Sequence, residues 1–491
     1  MAIEESIPDV FAGADIFITG GSGFMGKVLI EKLLRSCPDV GKLFVLLRPR
    51  RGKPASERIA DLVQIPLFDK LRETFPENLD KIVPINGDCS ELGLGMDQKS
   101  LESIGNVQFV FHTAASVRFD DPIVSAIKLN TRGTREVLEL CKTLKHLKAI
   151  VHVSTTYSNP EVMDVEERIY PPKMDWRKAI EVAENIDEQI LESLALKMSS
   201  FSPNTYTFTK GLAEQICLEY GQQLPLVIFR PSVVTNSESE PIPGWIDNFN
   251  GPVSMLVGSG MGVVRAGFIT PENRLNCIPV DVCIKAILVA AWKRSREPFD
   301  GGHVPIYNCA AERYKTVPYK YIVTDGKNLY EKNPLVRTVW YPGGVAFSNI
   351  YVFHFFFMIL QLFPAVLVDI VLKISGKTML ATRLSRKMFY TQIALEYFIK
   401  NDWTFKTKNF RNLYHDLLEC DRESFSTKYL NIPLSEYYIR CILGGRRYLF
   451  KETDDSLPKA RRKIKRLKFI DLAAKWITLG SLLMVLYSRY C

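Results

Sequence analysis

Short apolar runs alternating with helix-patterned stretches set the rhythm of the first half of this chain. Segments 14–19, 42–47, 81–86, 107–112 and 149–154 are apolar, rich in β-branched and aromatic residues and bounded by turn residues. That is the pattern of strands buried on both faces. Between them, 24–36 and 130–144 place apolar residues at helical spacing, and 206–220 and 226–229 add one more helix and strand. The alternation predicts an α/β fold, a doubly wound Rossmann-type parallel sheet with helices on both faces. Beyond about residue 240 the rhythm fades. Segment 241–252 is a Pro/Gly/Asn-rich loop, 278–293 reads as a helix, and 294–342 is turn-rich and mixed. Segment 343–373 is strongly apolar and aromatic, and 376–452 returns to a basic helical pattern with Trp, Tyr and Phe, a mainly helical C-terminal domain.

Directly after the first strand stand Thr19, Gly20, Gly21, Ser22, Gly23, Phe24, Met25 and Gly26, opening into a helix. Glycines spaced G-x-x-G-x-x-G let the chain turn tightly, admit a pyrophosphate to the backbone and pack the helix close to the sheet. The phosphate then meets the positive end of that helix. The end of the second strand selects the cofactor. An acidic residue there would hold the ribose hydroxyls of NAD, whereas this chain has Arg48, Pro49, Arg50 and Arg51. Arg48 and Arg51 can pair with a 2′-phosphate, which favours NADPH; a solvated basic loop is the plainer alternative. Asp88, after the third strand, is a candidate for the adenine side. Ala114 and Ala115, after the fourth, are small enough for a cofactor to lie across the sheet edge.

Of the 20 tyrosines, only Tyr206 has a lysine four residues later, Lys210. On a helix this spacing puts both side chains on one face. An ammonium beside a phenol is expected to lower the phenol's pKa and make it a proton donor and acceptor near neutrality. The fifth strand ends at Ser154 and Thr155, and a hydroxyl there can share a carbonyl oxygen with Tyr206. His112 and His152, at strand ends, read as hydrogen-bonded core histidines.

The glycine turn, the Ser-Thr pair and Tyr-x-x-x-Lys resemble the extended short-chain dehydrogenase/reductase superfamily. More narrowly, 12–310 resembles the reductase domain of fatty acyl-CoA reductases. The resemblance rests on TGGSGFMGKVLIEKLL at 19–34, HTAASVRF at 112–119, HVSTTY at 152–157, YTFTK at 206–210 and PGWIDNFNGP at 243–252. Segment 350–452 resembles that family's C-terminal domain through FPAVLVD at 363–369, LEYFIKNDWTF at 395–405 and 444–451. The aspartate–tryptophan pair usual before the late tyrosine is replaced by Pro433, Leu434, Ser435 and Glu436, a departure away from the catalytic set. The resemblance implies a long-chain acyl-CoA substrate reduced by NADPH through an aldehyde to a primary alcohol. It implies Tyr206 as the acid, Lys210 as its helper, Thr155 as the third hydroxyl with Ser154 as fallback, and Pro231, Ser232 and Val233 at the nicotinamide end. Rival readings are a sterol or sugar-nucleotide reductase or epimerase on the same fold, and a non-catalytic cofactor-binding membrane scaffold. The C-terminal domain and the 243–252 loop speak against the first, the intact Tyr/Lys/Thr set against the second. Trp245 and Phe249 in that loop could line an acyl tunnel or simply pack.

Composition changes one thing. The 491 residues are 47% hydrophobic and 24% charged with a formal net charge of +9. Most of the excess lies in one run: Lys459, Arg461, Arg462, Lys463, Lys465, Arg466 and Lys468. Such a cluster excludes a broad nucleic-acid face and points to an anionic bilayer, because 469–487 follows, apolar apart from Asp471 and Lys475. We expect 469–487 to be a transmembrane anchor and the protein to face the cytosol, with the endoplasmic reticulum favoured over the peroxisome. Segment 343–373 is expected to be interfacial or re-entrant, with a buried core helix as its rival. The ten cysteines show no zinc-like spacing, no metal is expected, and the acidic N-terminus lacks the apolar core of a secretory signal.

Overall fold

Seven parallel strands form one sheet: β1 (Ile16–Thr19), β2 (Leu43–Leu47), β3 (Ile82–Asn86), β4 (Phe109–His112), β5 (Ala149–Val153), β6 (Leu226–Pro231) and β7 (Ile306–Cys309). The computed structural model describes residues 5–48, 52–199, 202–249, 252–299 and 301–490. Candidate Arg51 lies outside the described residues. In space the strands run β7-β6-β5-β4-β1-β2-β3, so the winding direction reverses between β1 and β4. The crevice at such a reversal, beyond the carboxyl ends of the strands, is where doubly wound sheets bind ligands. The strands are short and almost wholly apolar because both faces are covered. Helices α1 (Phe24–Ser36) and α4 (Val280–Arg296) pack together on one face, and α2 (Gly133–Thr143) and α3 (Thr205–Tyr220) on the other. Phe17, Val110, Ile150 and Ile228 belong to one core cluster with Phe208, Leu212 and Ile216 of α3.

The chain forms two compact units that interleave in sequence. The first comprises 1–243, 276–316 and 403–431; the second comprises 244–275, 317–402 and 432–491. Segment 350–452 therefore contributes to both. Trp403 and Phe405, expected as core of a C-terminal domain, are buried in the first unit instead. Thr404–Phe405 pairs in parallel with Asp164–Val165. Tyr157 meets both aromatic rings edge-on, with centroids 5.3 and 5.4 Å away. Glu167 ties this returning segment to β7, accepting from the amides of Asn308 (3.0 Å) and Phe410 (2.9 Å).

Within the second unit, Ala266–Phe268 pairs in parallel with Val345–Phe347. The apolar segment forms α5 (Ile350–Ile374), broken by a π-helical turn at Met358–Leu362, and α6 (Ala381–Lys400) follows it. Among the described residues α5 is the helix long and apolar enough to cross a membrane, and only 22% of its most apolar stretch is buried. The chain ends in α7 (Leu457–Tyr490). Its first half is docked through buried Ala460, Ile464 and Asp471, whereas Leu472, Trp476, Ile477, Leu483, Met484 and Tyr487 are exposed.

Candidate active site

The turn after β1 is built for close approach. Gly20 has φ +74°, and a Cβ there would lie 2.6 Å from the Ala114 amide nitrogen; a Cβ on Gly26 would lie 2.6 Å from Gly21 Cα. Side chains at either place would fill the cradle or push α1 away. Gly21 and Gly26 are buried, Phe24 and Met25 half-buried, and Ser22 and Gly23 exposed at the mouth. Gly23 is the N-cap of α1 and provides no side-chain cap, so the helix start suits an anion. Thr19 turns inward: its hydroxyl shares a 2.7 Å hydrogen bond with His112 Nδ1 and accepts from the Ala114 amide at 3.3 Å. It clips β1 to β4 beneath the turn, and Ala114 and Ala115 stay half-buried beside it.

Two cofactor candidates meet each other. Arg48 Nε lies 3.0 Å from Asp88 Oδ2, and Asp88 Oδ1 also accepts from the amide and hydroxyl of Ser90 (2.9 and 2.8 Å). Arg48 is over half exposed, so this pair costs little to open toward a ligand.

Helix α3 presents one face to the ends of β5 and β6, and three residues spaced by four register it. Tyr206, in the first turn after the Asn204 N-cap, lies near enough to Thr155 for that hydroxyl to act on its phenol, and it stacks on Phe119 with centroids 6.0 Å apart. Lys210 Nζ donates to the Val153 carbonyl at 2.7 Å. Glu214 accepts from the Ser154 hydroxyl at 2.6 Å and takes Arg230 in a bidentate pair, both contacts 2.7 Å. Ser154 is thus committed to Glu214, and Thr155 is the hydroxyl that faces Tyr206. Pro231 and Ser232 are buried and Val233 half-buried just beyond β6. The Ser232 hydroxyl has no hydrogen-bond partner among the described residues.

The electrostatics correct one expectation. The Tyr206 phenol is pushed up to about 12, chiefly by burial, with the nearby Thr155 hydroxyl opposing. Lys210, which donates to the Val153 carbonyl and is itself lowered to about 8 by burial, is not among the groups that pull it down. Tyr206 is therefore a protonated donor at neutral pH. Burial also lowers His112 to about 3, so it is neutral, bridging Thr19 and Thr134. His152 departs from its expected role: it is fully buried, yet neither ring nitrogen has a partner among the described residues.

A family model described as male sterility protein, in its NAD-binding part, matches residues 18–287, and a second of that description matches 360–452. "Fatty acyl-CoA reductase wat" of Drosophila melanogaster is 35% identical over 93% of this chain and 88% of its own length. "Fatty acyl-CoA reductase 1" of Homo sapiens is 33% identical over 95% of this chain and 90% of its own. This chain belongs to the fatty acyl-CoA reductase family.

The solved structures agree at the level of fold. The terminal R domain of the myxalamid PKS-NRPS pathway superposes with a TM-score of 0.62 at 18% identity, covering 89% of this chain and 92% of that one. The reductase domain of a nonribosomal peptide synthetase from Mycobacterium tuberculosis gives 0.58 at 16% identity, covering 88% and 91%. As a fatty acyl-CoA reductase family member the protein is an oxidoreductase that uses a nicotinamide cofactor, and the glycine cradle and the partnerless Ser232 hydroxyl fit that group.

Sequence reading of this fatty acyl-CoA reductase missed two positioning groups. Glu214 looks like any helical glutamate, although its place four residues past Lys210 was the available signal. Asn130 sits in the π-helical turn Ile127–Arg132 ahead of α2. Its Oδ1 accepts from the Ser116 amide (2.9 Å), and its Nδ2 donates to the Ser116 carbonyl (3.1 Å) and the Thr209 hydroxyl (3.0 Å). It fixes the loop after β4 to α3, and π turns of this kind recur at functional sites.

Proposed function

We propose that the protein reduces long-chain fatty acyl-CoA with NADPH to the primary alcohol and free CoA, through an aldehyde. The observation that carries this is the placing of Tyr206 and Lys210 one turn apart on α3 against the end of β5, where Thr155 stands, with Lys210 bonded to the Val153 carbonyl at 2.7 Å. A thioester carbonyl oxygen inserted there would accept from both hydroxyls as negative charge develops on it. The Gly20–Gly26 cradle and Arg48 would hold NADPH, which would supply hydride to the carbonyl carbon. Tyr206 gives its proton to the oxygen. On collapse the C–S bond breaks, CoA leaves as its thiol, and the aldehyde carbonyl returns to the same two hydroxyls for a second reduction. Lys210 recharges the phenol and orients the ribose end. Cys37, Cys89, Cys141, Cys217, Cys283 and Cys309 are buried, and the proposed path needs no acyl-thiol intermediate on the protein.

Stoichiometry tests the four-electron assignment. With purified protein and palmitoyl-CoA, two NADPH should be oxidised per CoA released and alcohol should dominate. A ratio of one with aldehyde accumulating would reduce the assignment to an aldehyde-forming enzyme. Arg48→Ala should raise the KM for NADPH about tenfold or more and barely change that for NADH, since one charge-assisted contact carries roughly 1.5–3 kcal/mol. Equal effects on both cofactors would make Arg48 a bystander.

For location, we propose that 469–487 anchors the protein with its body on the cytosolic side of the endoplasmic reticulum, the peroxisome being the alternative membrane. The basic run Lys459–Lys468 before it follows the positive-inside rule. Because α7 docks through Ile464 and Asp471, the informative truncation is after Lys475, which spares both. Carbonate extraction should then release the protein, while the full chain stays in the pellet.

A further inference from the structure

We propose that α5 and α6 form a docking surface that lies in the plane of an anionic bilayer leaflet, α5 half-sunk among acyl chains and α6 offering cations to the headgroups. This rests on the membrane part of the proposed function and is independent of the reaction.

Along α5, Phe353, Phe357, Gln361, Ala365 and Asp369 are buried, one every four residues. The π-helical turn at Met358–Leu362 slows the drift that such spacing would have on a regular α-helix. This stripe holds Gln361 and Asp369. Gln361 Oε1 accepts from the Arg265 amide at 3.0 Å, and Asp369 accepts from the amides of Ala381 and Thr382, both at 2.9 Å, capping the start of α6. The opposite face is apolar and exposed: Phe355, Ile359, Phe363, Val366, Ile370 and Ile374. A helix crossing the bilayer alone would carry Asp369 into hydrocarbon and strip the caps from Ala381 and Thr382. Lying flat keeps every inward contact and removes only the apolar face from water, the geometry of an interfacial helix.

Charge selects the occupant. Lys373, Lys377, Arg383, Arg386 and Lys387 are exposed around the junction of α5 and α6. From Ile370 to Leu395 there is no Asp or Glu. A second copy of this chain would set these five cations against five more, whereas anionic headgroups neutralise them.

The test uses the full chain with Cys277→Ser, Cys420→Ser, Cys441→Ser and Cys491→Ser, carrying a single bimane-labelled cysteine at Phe355, Phe363 or Ile374. Each protein is reconstituted in phosphatidylcholine vesicles with or without phosphatidylserine, and quenching by lipids carrying shallow or deep nitroxides is read. The expected result is similar, mainly shallow quenching at all three positions, stronger with phosphatidylserine. Arg383→Glu with Arg386→Glu should bring it down to the level in phosphatidylcholine alone. Depth that varies steeply along the helix, deepest at Phe363, would mean a span and overturn the proposal, as would no quenching in either lipid, which would mean a protein-covered face. Failure of the α7 anchor is distinguishable, because it appears in carbonate extraction and not in the depth profile.

Discussion

Tyr206→Phe is expected to cut turnover by roughly 10²–10⁴-fold, the usual worth of a positioned proton donor. The phenyl ring keeps its stacking on Phe119, so folding should survive. The phenol hydroxyl is lost, leaving the developing oxyanion one donor short. Single-turnover rates with acyl-CoA and with aldehyde should fall alike, because both reductions use the same donor. Retention of most activity would remove Tyr206 from its role. The pH profile separates the helper from the acid. The phenol keeps its proton up to about 12, so the alkaline fall in rate should instead follow Lys210, near 8. Lys210→Met should lower the rate and erase that limb.

Arg230→Met should destabilise the protein by roughly 3–5 kcal/mol, because it leaves the Glu214 carboxylate buried without its partner. Arg230 and Glu214 are 0% and 1% exposed, and the guanidinium also donates to the carbonyls of Glu166 (3.2 Å) and Arg168 (3.0 Å). Equilibrium unfolding in urea checks this. Arg230→Met combined with Glu214→Leu should recover a large part of the loss, since the lone charge is gone. It should not recover the rate. Glu214 registers α3 against Ser154, and with the register loosened Tyr206 and Thr155 no longer hold a common oxygen. Full recovery of both stability and rate would make the pair a mere core feature.

Much of this was legible along the chain because it depends on neighbours in sequence. The G-x-x-G-x-x-G turn, α1 and the first six strands announce themselves through local spacing, and Tyr206 and Lys210 share a helix face by arithmetic. β7 did not announce itself. Ile306–Cys309 is four residues long, contains Asn308 and sits in a turn-rich stretch, and it is a strand because β6 offers it an edge. The lowered phenol pKa was misjudged for a related reason: spacing puts an ammonium near a phenol but does not reveal how deeply the fold buries that phenol, and burial raises its pKa. The Glu214–Arg230 pair joins a helix to a strand, and its partners are visible only once both are placed.

The return of 403–431 to the first unit has a consequence for biosynthesis. A nascent chain that has emerged only as far as Thr316 has all seven strands but lacks Phe405 against Val165 and Phe410 against Glu167. At about 5–20 residues per second, the next hundred or so residues take on the order of ten seconds to appear. Throughout that interval the catalytic half must wait, incomplete, while α5 and its apolar face leave the ribosome. Contact of α5 with a membrane during synthesis would therefore precede completion of the unit that carries Tyr206.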